Sequence, residues 1–311
     1  MLCNLCPRNC NVDRAVRTGY CGMSEEVTAA RAALHMWEEP CISGGNGSGA
    51  VFFTGCQLRC RFCQNYDIAA GKSGRTVTIE RLAEIFLELQ AKQANNINLV
   101  TSTHFVPQII KALDIARQQG LYIPVVYNTS SYEKVETLRM LEGYVDVYLP
   151  DMKYMSSDLS GRFSNAADYA AVAKSAIAEM YRQTGKPQFA GEASAGTADY
   201  ENTGAGRIEA GIMTKGVIVR HLMLPGQIKD SKEVVRYIYE EYGDNVYQSI
   251  MNQYTPLEQV RNIPELNRSV TQEEYDELVD YAIDLGIVHA FIQEGGTVGE
   301  SFIPNFSNEG I

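Results

Sequence analysis

The placement of cysteine constrains this chain more than any other feature of its sequence. Eight cysteines, at positions 3, 6, 10, 21, 41, 56, 60 and 63, all fall within the first 63 of 311 residues. A disulfide framework belongs to small oxidised domains and is spread across them. Here the thiols crowd one end of a long chain, so metal ligation is the better reading. Composition narrows the frame: with 45% hydrophobic and 21% charged residues, the chain suits one barrel-sized domain with appendages or two medium domains. Lysine and arginine total 27 against 38 acidic residues, for a net charge of −11. That balance argues against general nucleic-acid binding, which needs a basic footprint. No apolar run approaches the roughly 18–20 residues that span a bilayer. Met1-Leu2-Cys3 lacks the charged and apolar regions of a signal peptide, so a cytoplasmic protein is expected.

Hydrophobic periodicity gives strands alternating with helices. Strands are expected at 50–53, 98–101, 123–127, 145–149, 217–222, 245–251 and 288–292. Helices are expected after Thr78, over 106–117, 132–141, 166–183 and 234–242, and from Thr271. Such alternation implies an α/β fold of parallel strands joined by right-handed crossovers, and periodicity alone leaves a barrel and an open sheet both possible. Residues 1–45 show little periodicity and read as a Cys-rich metal-binding segment. The main domain is expected over 46–265 and a helix–strand extension over 266–311. Within the main domain, 185–216 is rich in small residues and reads as a long loop, either a lid or a passive insertion.

The segment Phe53-Thr54-Gly55-Cys56-Gln57-Leu58-Arg59-Cys60-Arg61-Phe62-Cys63 follows the first expected strand and has the spacing C-x3-C-x2-C. Soft thiolates select zinc, copper(I) or iron–sulfur clusters. A structural zinc or a fully ligated cubane wants four protein ligands, whereas three suffice for a [4Fe-4S] cluster with one iron left open. A zinc loop completed by a distant cysteine or histidine is the alternative.

This spacing, with Phe62 before the third cysteine, resembles the radical S-adenosylmethionine superfamily. Cys63-Gln64-Asn65, Asn128-Thr129-Ser130, Asp151-Met152-Lys153 and His221-Leu222-Met223-Leu224-Pro225-Gly226 are similar to its glycyl-radical-enzyme activating branch, and specifically to a pyruvate formate-lyase activating enzyme-like subgroup. Glu38-Glu39-Pro40, Asn96 to Val100, Glu179 to Gln183, Gln253 to Pro256 and Ser301 to Pro304 carry the likeness over nearly the whole chain. The resemblance implies a partial (β/α)6 barrel resembling a TIM barrel, with its site at the C-terminal ends of the strands. It implies that Cys56, Cys60 and Cys63 hold a [4Fe-4S] cluster whose open iron binds S-adenosylmethionine, and that reductive cleavage yields a 5′-deoxyadenosyl radical. An external one-electron reductant of flavodoxin or ferredoxin type is then a required partner, and a glycyl radical enzyme is a candidate protein substrate.

The cofactor contacts follow residue by residue. Asp151 and Lys153 would hold the methionine end, with the lysine ammonium on its carboxylate; a surface ion pair is the bland reading. Asn128 and Thr129 would face the same cofactor, or simply cap the loop. Thr101-Ser102-Thr103-His104 stands where activating enzymes carry Gly-Gly-Glu, so Thr103 and His104 are candidate contacts at a departure from the pattern. His221 lies near a cofactor position, or is a hydrogen-bonded core histidine. Phe62 would pack near the adenine. No residue is assigned a catalytic role beyond the cluster and the cofactor.

Cys3, Cys6, Cys10 and Cys21 give four thiolates in a turn-rich stretch with Pro7, Gly19 and Gly22. They fit a second metal site, zinc or iron, including an auxiliary iron–sulfur cluster. Cys41 is left over and reads as a buried residue. The leading expectation is a radical S-adenosylmethionine enzyme that abstracts hydrogen, plausibly to activate a glycyl radical enzyme. The alternatives are radical modification of another peptide, a metabolite or RNA, and a non-catalytic iron–sulfur or zinc protein of electron transfer.

Overall fold

Thr28–His35 pairs with Ser48–Phe53 along its whole length, and from this hairpin the sheet grows outward. The computed structural model describes residues 2–190, 211–293, 304 and 306–311. In chain order the first elements are β1 (Thr28–His35), α1 (Pro40–Ser43), β2 (Ser48–Phe53), α2 (Tyr66–Ala69), β3 (Arg75–Thr76) and α3 (Ile79–Ala91). Next come β4 (Ile97–Val100), α4 (Val106–Gln118), β5 (Val125–Thr129), α5 (Val135–Met140), β6 (Val147–Pro150), α6 (Ser157–Ser164) and α7 (Tyr169–Thr184). The last are β7 (Gln188–Ala190), β8 (Ile212–Leu222), α8 (Ile228–Tyr242), β9 (Tyr247–Met251), α9 (Gln272–Asp284) and β10 (Ala290–Ile292). No helix among the described residues is long and apolar enough to cross a membrane.

The strands lie in the order β10-β9-β8-β6-β5-β4-β2-β1-β3, with β7 antiparallel to β8. Every pair from β2 to β10 is parallel. Each new parallel strand joins beside the previous one, so right-handed crossovers place the helices on one side of the sheet. A doubly wound sheet would reverse direction once, and this one does not. It is α/β, with the winding of a partial (β/α)6 barrel.

Alternation along the strands separates two faces. Val51, Phe53, Leu99, Val125, Tyr127 and Val219 pack outward in one core with Leu82, Phe86, Ile109, Leu113, Ile177 and Ile238 of the helices. Each fully buried phenylalanine or leucine there contributes about 1.5–3 kcal/mol. Inward, Val126, Val147, Leu149, Met213, Ile218 and Phe291 meet Cys41 and Ile42 of α1, which closes one end of the interior. Cys41 is therefore a buried packing residue, remote from the other thiols. Ala50, Phe52 and Val100 form a third cluster with Phe306. Thr78 caps α3 by accepting from Arg81 N, and Thr271 and Glu274 form a reciprocal capping box on α9.

The structure departs from periodicity in three places. Thr28–His35 is alanine-rich, without the alternation or β-branching of a half-buried strand; pairing with β2 makes it one. The expected helix 166–183 is preceded by a separate helix, α6, which ends where Asn165 turns left-handed at φ 52°. The helix expected over 132–141 shrinks to α5, because Ser131 at φ 62° sets an irregular approach. An expected domain division at residue 45 falls inside the sheet, since β1 is hydrogen-bonded to β2. The end of the chain joins it as well, with Asn308 N on Ala30 O at 3.1 Å and Ala32 N on Glu309 O at 2.8 Å. Most of the 185–216 segment, and Ser301 to Ile303, lie outside the described residues.

Candidate functional site

The loop that leaves β2 is set by its second residue. Gly55 has φ +87°, and a Cβ there would lie 2.4 Å from Met23 Cγ and 2.8 Å from Cys21 O, so only glycine fits. Cys56 and Cys60 are buried, and Cys63 half-buried. The loop is tied down from three directions. Arg61 N donates to Phe163 O (2.8 Å), Gln259 Nε2 to Cys63 O (3.0 Å) and Gln64 Nε2 to Gln253 O (2.5 Å). Each sulfur has a donor aimed at it: Leu58 N on Cys56 Sγ at 3.3 Å, Asn65 N on Cys63 and the Ser164 hydroxyl on Cys60. Burial pushes Cys60 up to about 11 against the pull of Lys153, and burial with the two neighbouring thiols raises Cys63. Bare thiolates are costly here; sulfurs bonded to metal and fed by N–H donors are not.

Beside Cys60, at the end of β6, Lys153 Nζ pairs with Asp151 Oδ2 at 2.7 Å. Arg220, on β8, carries the network on. Its Nε meets Asp151 Oδ1 at 3.1 Å, its guanidinium meets Glu38 Oε2 at 3.2 Å, and its third nitrogen donates to Asn128 Oδ1 at 2.5 Å. Glu38 Oε1 accepts from Asn98 Nδ2 (3.0 Å) and Asn128 Nδ2 (3.2 Å). Burial opposes every charge in this set. Lys153 and Arg220 still hold Asp151 below the ordinary carboxylate range, while Asp151 and Cys60 keep Lys153 raised. Glu38 and Glu39 are pushed up by burial in spite of Arg220. His221 Nδ1 meets Met152 O at 2.8 Å; burial lowers it to about 4, so it is neutral beside Lys153. Lys153, Tyr154, His221, Leu222 and Leu224 line a narrow surface crevice.

The other expected contacts are used differently. Thr103 and Thr129 both donate to Glu133 Oε1, at 2.5 Å each, with Tyr127 OH at 3.4 Å and Gln57 Nε2 on Thr103 Oγ1 at 2.8 Å. Burial lifts this carboxyl to about 7 although three hydroxyls pull it down. Thr103 and Thr129 thus come together on Glu133, rather than on the Asp151–Lys153 pair. His104 Nε2 meets Thr54 O at 2.7 Å, at the start of the cysteine loop, and burial lowers it to about 4. Phe62 packs against Tyr154 and Tyr254, with ring centroids 6.4 and 6.2 Å away.

Behind the cysteine loop lies the N-terminal segment. Arg8 donates to Gln57 O (2.8 Å), Leu58 O, Ser164 O and Asn165 O, between the rings of Tyr20 and Tyr132. Arg14 donates to the carbonyls of Met23, Ser24 and His104. Cys10 Sγ and Cys21 Sγ each lie 3.6 Å from where a Gly19 Cβ would stand. Cys6 feels Cys10 and Cys21, and Cys21 feels Cys3 and Cys10, so the four thiols share one neighbourhood. Here too N–H groups point at sulfur: Arg8 N at Cys6, Tyr20 N at Cys10 (3.2 Å) and Met23 N at Cys21. Burial pushes Cys6 up to about 12.

Among the described residues no three His, Cys, Asp or Glu side chains stand close enough to hold a single metal ion. The three-cysteine loop nevertheless suits a cubane, whose thiolates sit on separate irons and stand farther apart than ligands of one ion. Sequence reasoning missed Arg220 and Glu133, and named Glu38 and Asn98 only within motif segments, without a role in the site. The available signal was a charged or amide residue inside an otherwise apolar strand, as in Val219-Arg220 and Ile97-Asn98.

Residues 50–182 match the family model of the Radical SAM superfamily. An uncharacterized protein of Methanocaldococcus jannaschii is 26% identical over 287 residues, covering 90% of this chain and 74% of the relative. Two solved structures share the fold at 12% identity and a TM-score of 0.50. One is HydG, a maturase of the [FeFe]-hydrogenase, covering 82% of this chain and 54% of its own. The other is methylornithine synthase (PylB), covering 81% and 66%. The chain spans 47% of the length of SuiB of Streptococcus suis, so it covers under half of that protein.

Proposed function

We propose that Cys56, Cys60 and Cys63 hold a [4Fe-4S] cluster with one iron open to S-adenosylmethionine, and that the substrate gives up a hydrogen atom inside the barrel. The observation that supports this most is the placement of Cys60 against the Asp151–Lys153 pair, which puts a cation for the cofactor's carboxylate beside the cysteine loop. When bound, the cluster and cofactor supply reductive cleavage of a carbon–sulfur bond and hydrogen abstraction.

The chain's own residues position and shield. Lys153 offers its ammonium to a carboxylate, and Asp151 keeps that ammonium charged and oriented. Arg220 fixes Asp151 from the far side. His221, neutral, fixes the backbone at Met152 between the two. Asn128 joins through Arg220 and Glu38, while Thr103, Thr129 and His104 brace the loops. Phe62, Tyr154 and Tyr254 exclude water beside the cysteines, which favours electrostatic contacts within. The electron comes from an external one-electron donor of flavodoxin or ferredoxin type.

The target is proposed as a glycine of a partner enzyme, on the strength of the ordered motifs from Cys63-Gln64-Asn65 to His221. A second reading, radical modification of another peptide, a metabolite or RNA, draws on the loop after β4, where Thr103 is given to Glu133. Cys3, Cys6, Cys10 and Cys21 are proposed as a second metal centre. Iron–sulfur is preferred to zinc or a single iron, because among the described residues no three of these thiols stand close enough for one ion.

Anaerobic reconstitution with iron and sulfide, then reductant and S-adenosylmethionine, should yield 5′-deoxyadenosine and methionine. No product, with unchanged iron in Cys60→Ala, defeats the reading. A glycyl radical seen by electron paramagnetic resonance on a co-expressed partner would support the first target over the second. Zinc in place of iron at the N-terminal cysteines would overturn the second-centre assignment.

A further inference from the structure

The arginines of this chain divide by what their guanidinium groups touch. On the helices, Arg81, Arg162, Arg182, Arg236 and Arg268 each face a carboxylate, and Arg117 donates to two carbonyls. Arg8 and Arg14 are spent on loop carbonyls, and Arg220 on the buried network. Among the described residues, only Arg17, Arg59, Arg61 and Arg75 are exposed arginines with no oxygen acceptor for the guanidinium. All four fall in the first 75 residues, which hold 8 of the 27 basic and 6 of the 38 acidic residues, so the acidic surplus lies elsewhere. Two of the four flank Cys60. Arg61 N is fixed on Phe163 O at 2.8 Å, next to Arg162, which already takes Asp158 and Glu265. Arg59 stands at φ 57°, a left-handed backbone uncommon for residues other than glycine and asparagine. Its guanidinium lies over the Tyr20 ring at 5.0 Å, and a Cβ on Gly22 would come within 3.2 Å of its Nη2. The left-handed residue thus carries an uncompensated charge from the cysteine loop across to the N-terminal segment. Beyond Cys63, Asp67 is paired with Lys72 at 3.5 Å. The acidic pair Glu25-Glu26 is drawn to α4, where Gln108 donates to Glu25 O at 2.7 Å.

Resting on the function proposed above, we infer that the face bearing Arg59 and Arg61 docks the external electron donor, a small acidic redox protein with carboxylates around its redox group. One electron leaves the reduced carrier, which is oxidised by one, and enters the cluster at the loop of Cys60. Exposed, unpaired guanidinium groups suit this task, because their forked donors take a carboxylate through two parallel bonds. Opposite charges also steer a partner into register and raise its rate of association, in a chain whose net charge of −11 otherwise repels acidic proteins. Position matters as much as sign. Cys60 is buried, yet both its neighbours in sequence are exposed, so the loop comes to the surface at this ligand. Thr54 Oγ1 donates to Ser73 O at 2.9 Å, which brings Arg75 near the start of the same loop.

The test titrates reconstituted, unreduced holoprotein anaerobically with oxidised flavodoxin and, separately, with oxidised ferredoxin, read by calorimetry. A basic cytochrome c is the control. At least one acidic carrier should bind, and raising the salt should weaken it at least about tenfold. The double variant Arg59→Gln/Arg61→Gln should weaken binding at least about tenfold, whereas Arg236→Gln on α8 should not. Electron delivery is the second readout. Formation of 5′-deoxyadenosine driven by the reduced carrier should fall in the double variant, while that driven by reduced methyl viologen, a small cation, should not. Binding that ignores salt, binding as tight in the double variant, or equal binding of cytochrome c overturns the inference. An equal loss with both reductants overturns it too, since the arginines would then act on the cluster instead of on docking. If the double variant fails to load iron, Arg61→Gln alone and the salt dependence of the wild type decide. Wild type that loads iron yet yields no product with either reductant defeats the function itself. Product with viologen, but no binding of either carrier, defeats only this inference.

Discussion

Two cysteine loops lie back to back in this protein and share a local grammar but not a setting. In both, backbone N–H groups two residues on donate to sulfur: Leu58 on Cys56 and Asn65 on Cys63 in one, Arg8 on Cys6 and Met23 on Cys21 in the other. The three-cysteine loop hangs from the end of β2 and faces Lys153 and Asp151. The four-cysteine segment instead feels Arg14 at Cys21 and Glu133 at Cys6. Its arginines, Arg8 and Arg14, are spent on backbone carbonyls of the neighbouring loops. The two loops thus differ in the charge around the sulfurs and in the number of thiols, three in one and four in the other, which under the proposed function leaves a ligand position open only in the first.

The largest expected effect breaks the comparison outright. Cys60→Ala should remove the irons of the loop after β2 and abolish formation of 5′-deoxyadenosine, while leaving the metal at the N-terminal segment in place. Cys6→Ala should do the opposite to the iron count and lower product formation only partly. Iron and sulfide analysis of the two variants, beside product chromatography, separates them. Equal loss of activity in both would show that the second centre belongs to the catalytic unit.

Next in size is Arg220→Met. Removing one partner of a buried charge network leaves Glu38 without a cation and Asp151 with Lys153 alone, at a cost of about 3–5 kcal/mol. Chemical denaturation of the apoprotein measures it. Arg220→Met combined with Glu38→Leu should recover part of the loss, because the stranded carboxylate goes with it.

How far the chain announced these parts follows from how local each signal is. The cysteine loops were legible because ligand spacing is a property of neighbours in sequence. Asp151 and Lys153 were legible because they flank one strand end. Arg220 and Glu38 were not, since their meeting depends on β1, β6 and β8 being brought together across long stretches of chain. The same cause hid β1, whose alanines carry no strand signal until β2 lies beside them. Thr103 lies beyond β4 and Thr129 ends β5, and their shared partner Glu133 lies in a loop whose course no periodicity describes.

Glu133 gives a pH signature to the boundary between the two cysteine loops, since it holds Thr103 and Thr129 on one side and lies near Cys6 on the other. Its carboxyl is raised from 4.5 to about 7 by burial, so the folded state binds its proton more tightly than the unfolded state. The contribution to stability is fully present below the unfolded value and is lost as pH rises from 4.5 through about 7. The full swing for a shift of that size is about 3 kcal/mol. Apoprotein stability should fall across that window, and Glu133→Gln should flatten the fall; an unchanged slope would assign it to other groups.

The smallest effect tests whether the two loops depend on each other. Gly55 holds φ +87° directly under Met23 and Cys21, so Gly55→Ala meets both backbone strain and a close carbonyl. Such a strained position costs of order 1–3 kcal/mol. The chain relieves it by lifting the N-terminal segment off the start of the cysteine loop, because Gly55 itself is held through its N–H on Ile68 O at 2.8 Å. The two loops should then respond unequally. Iron at Cys56, Cys60 and Cys63 should persist, being tied by Arg61, Gln64 and Gln259. The N-terminal thiols should become more reactive toward an alkylating reagent in the apoprotein. Equal protection of both sets in Gly55→Ala would mean that the segment bends to accept the methyl group, and that its docking against the cysteine loop is looser than the contact distances imply.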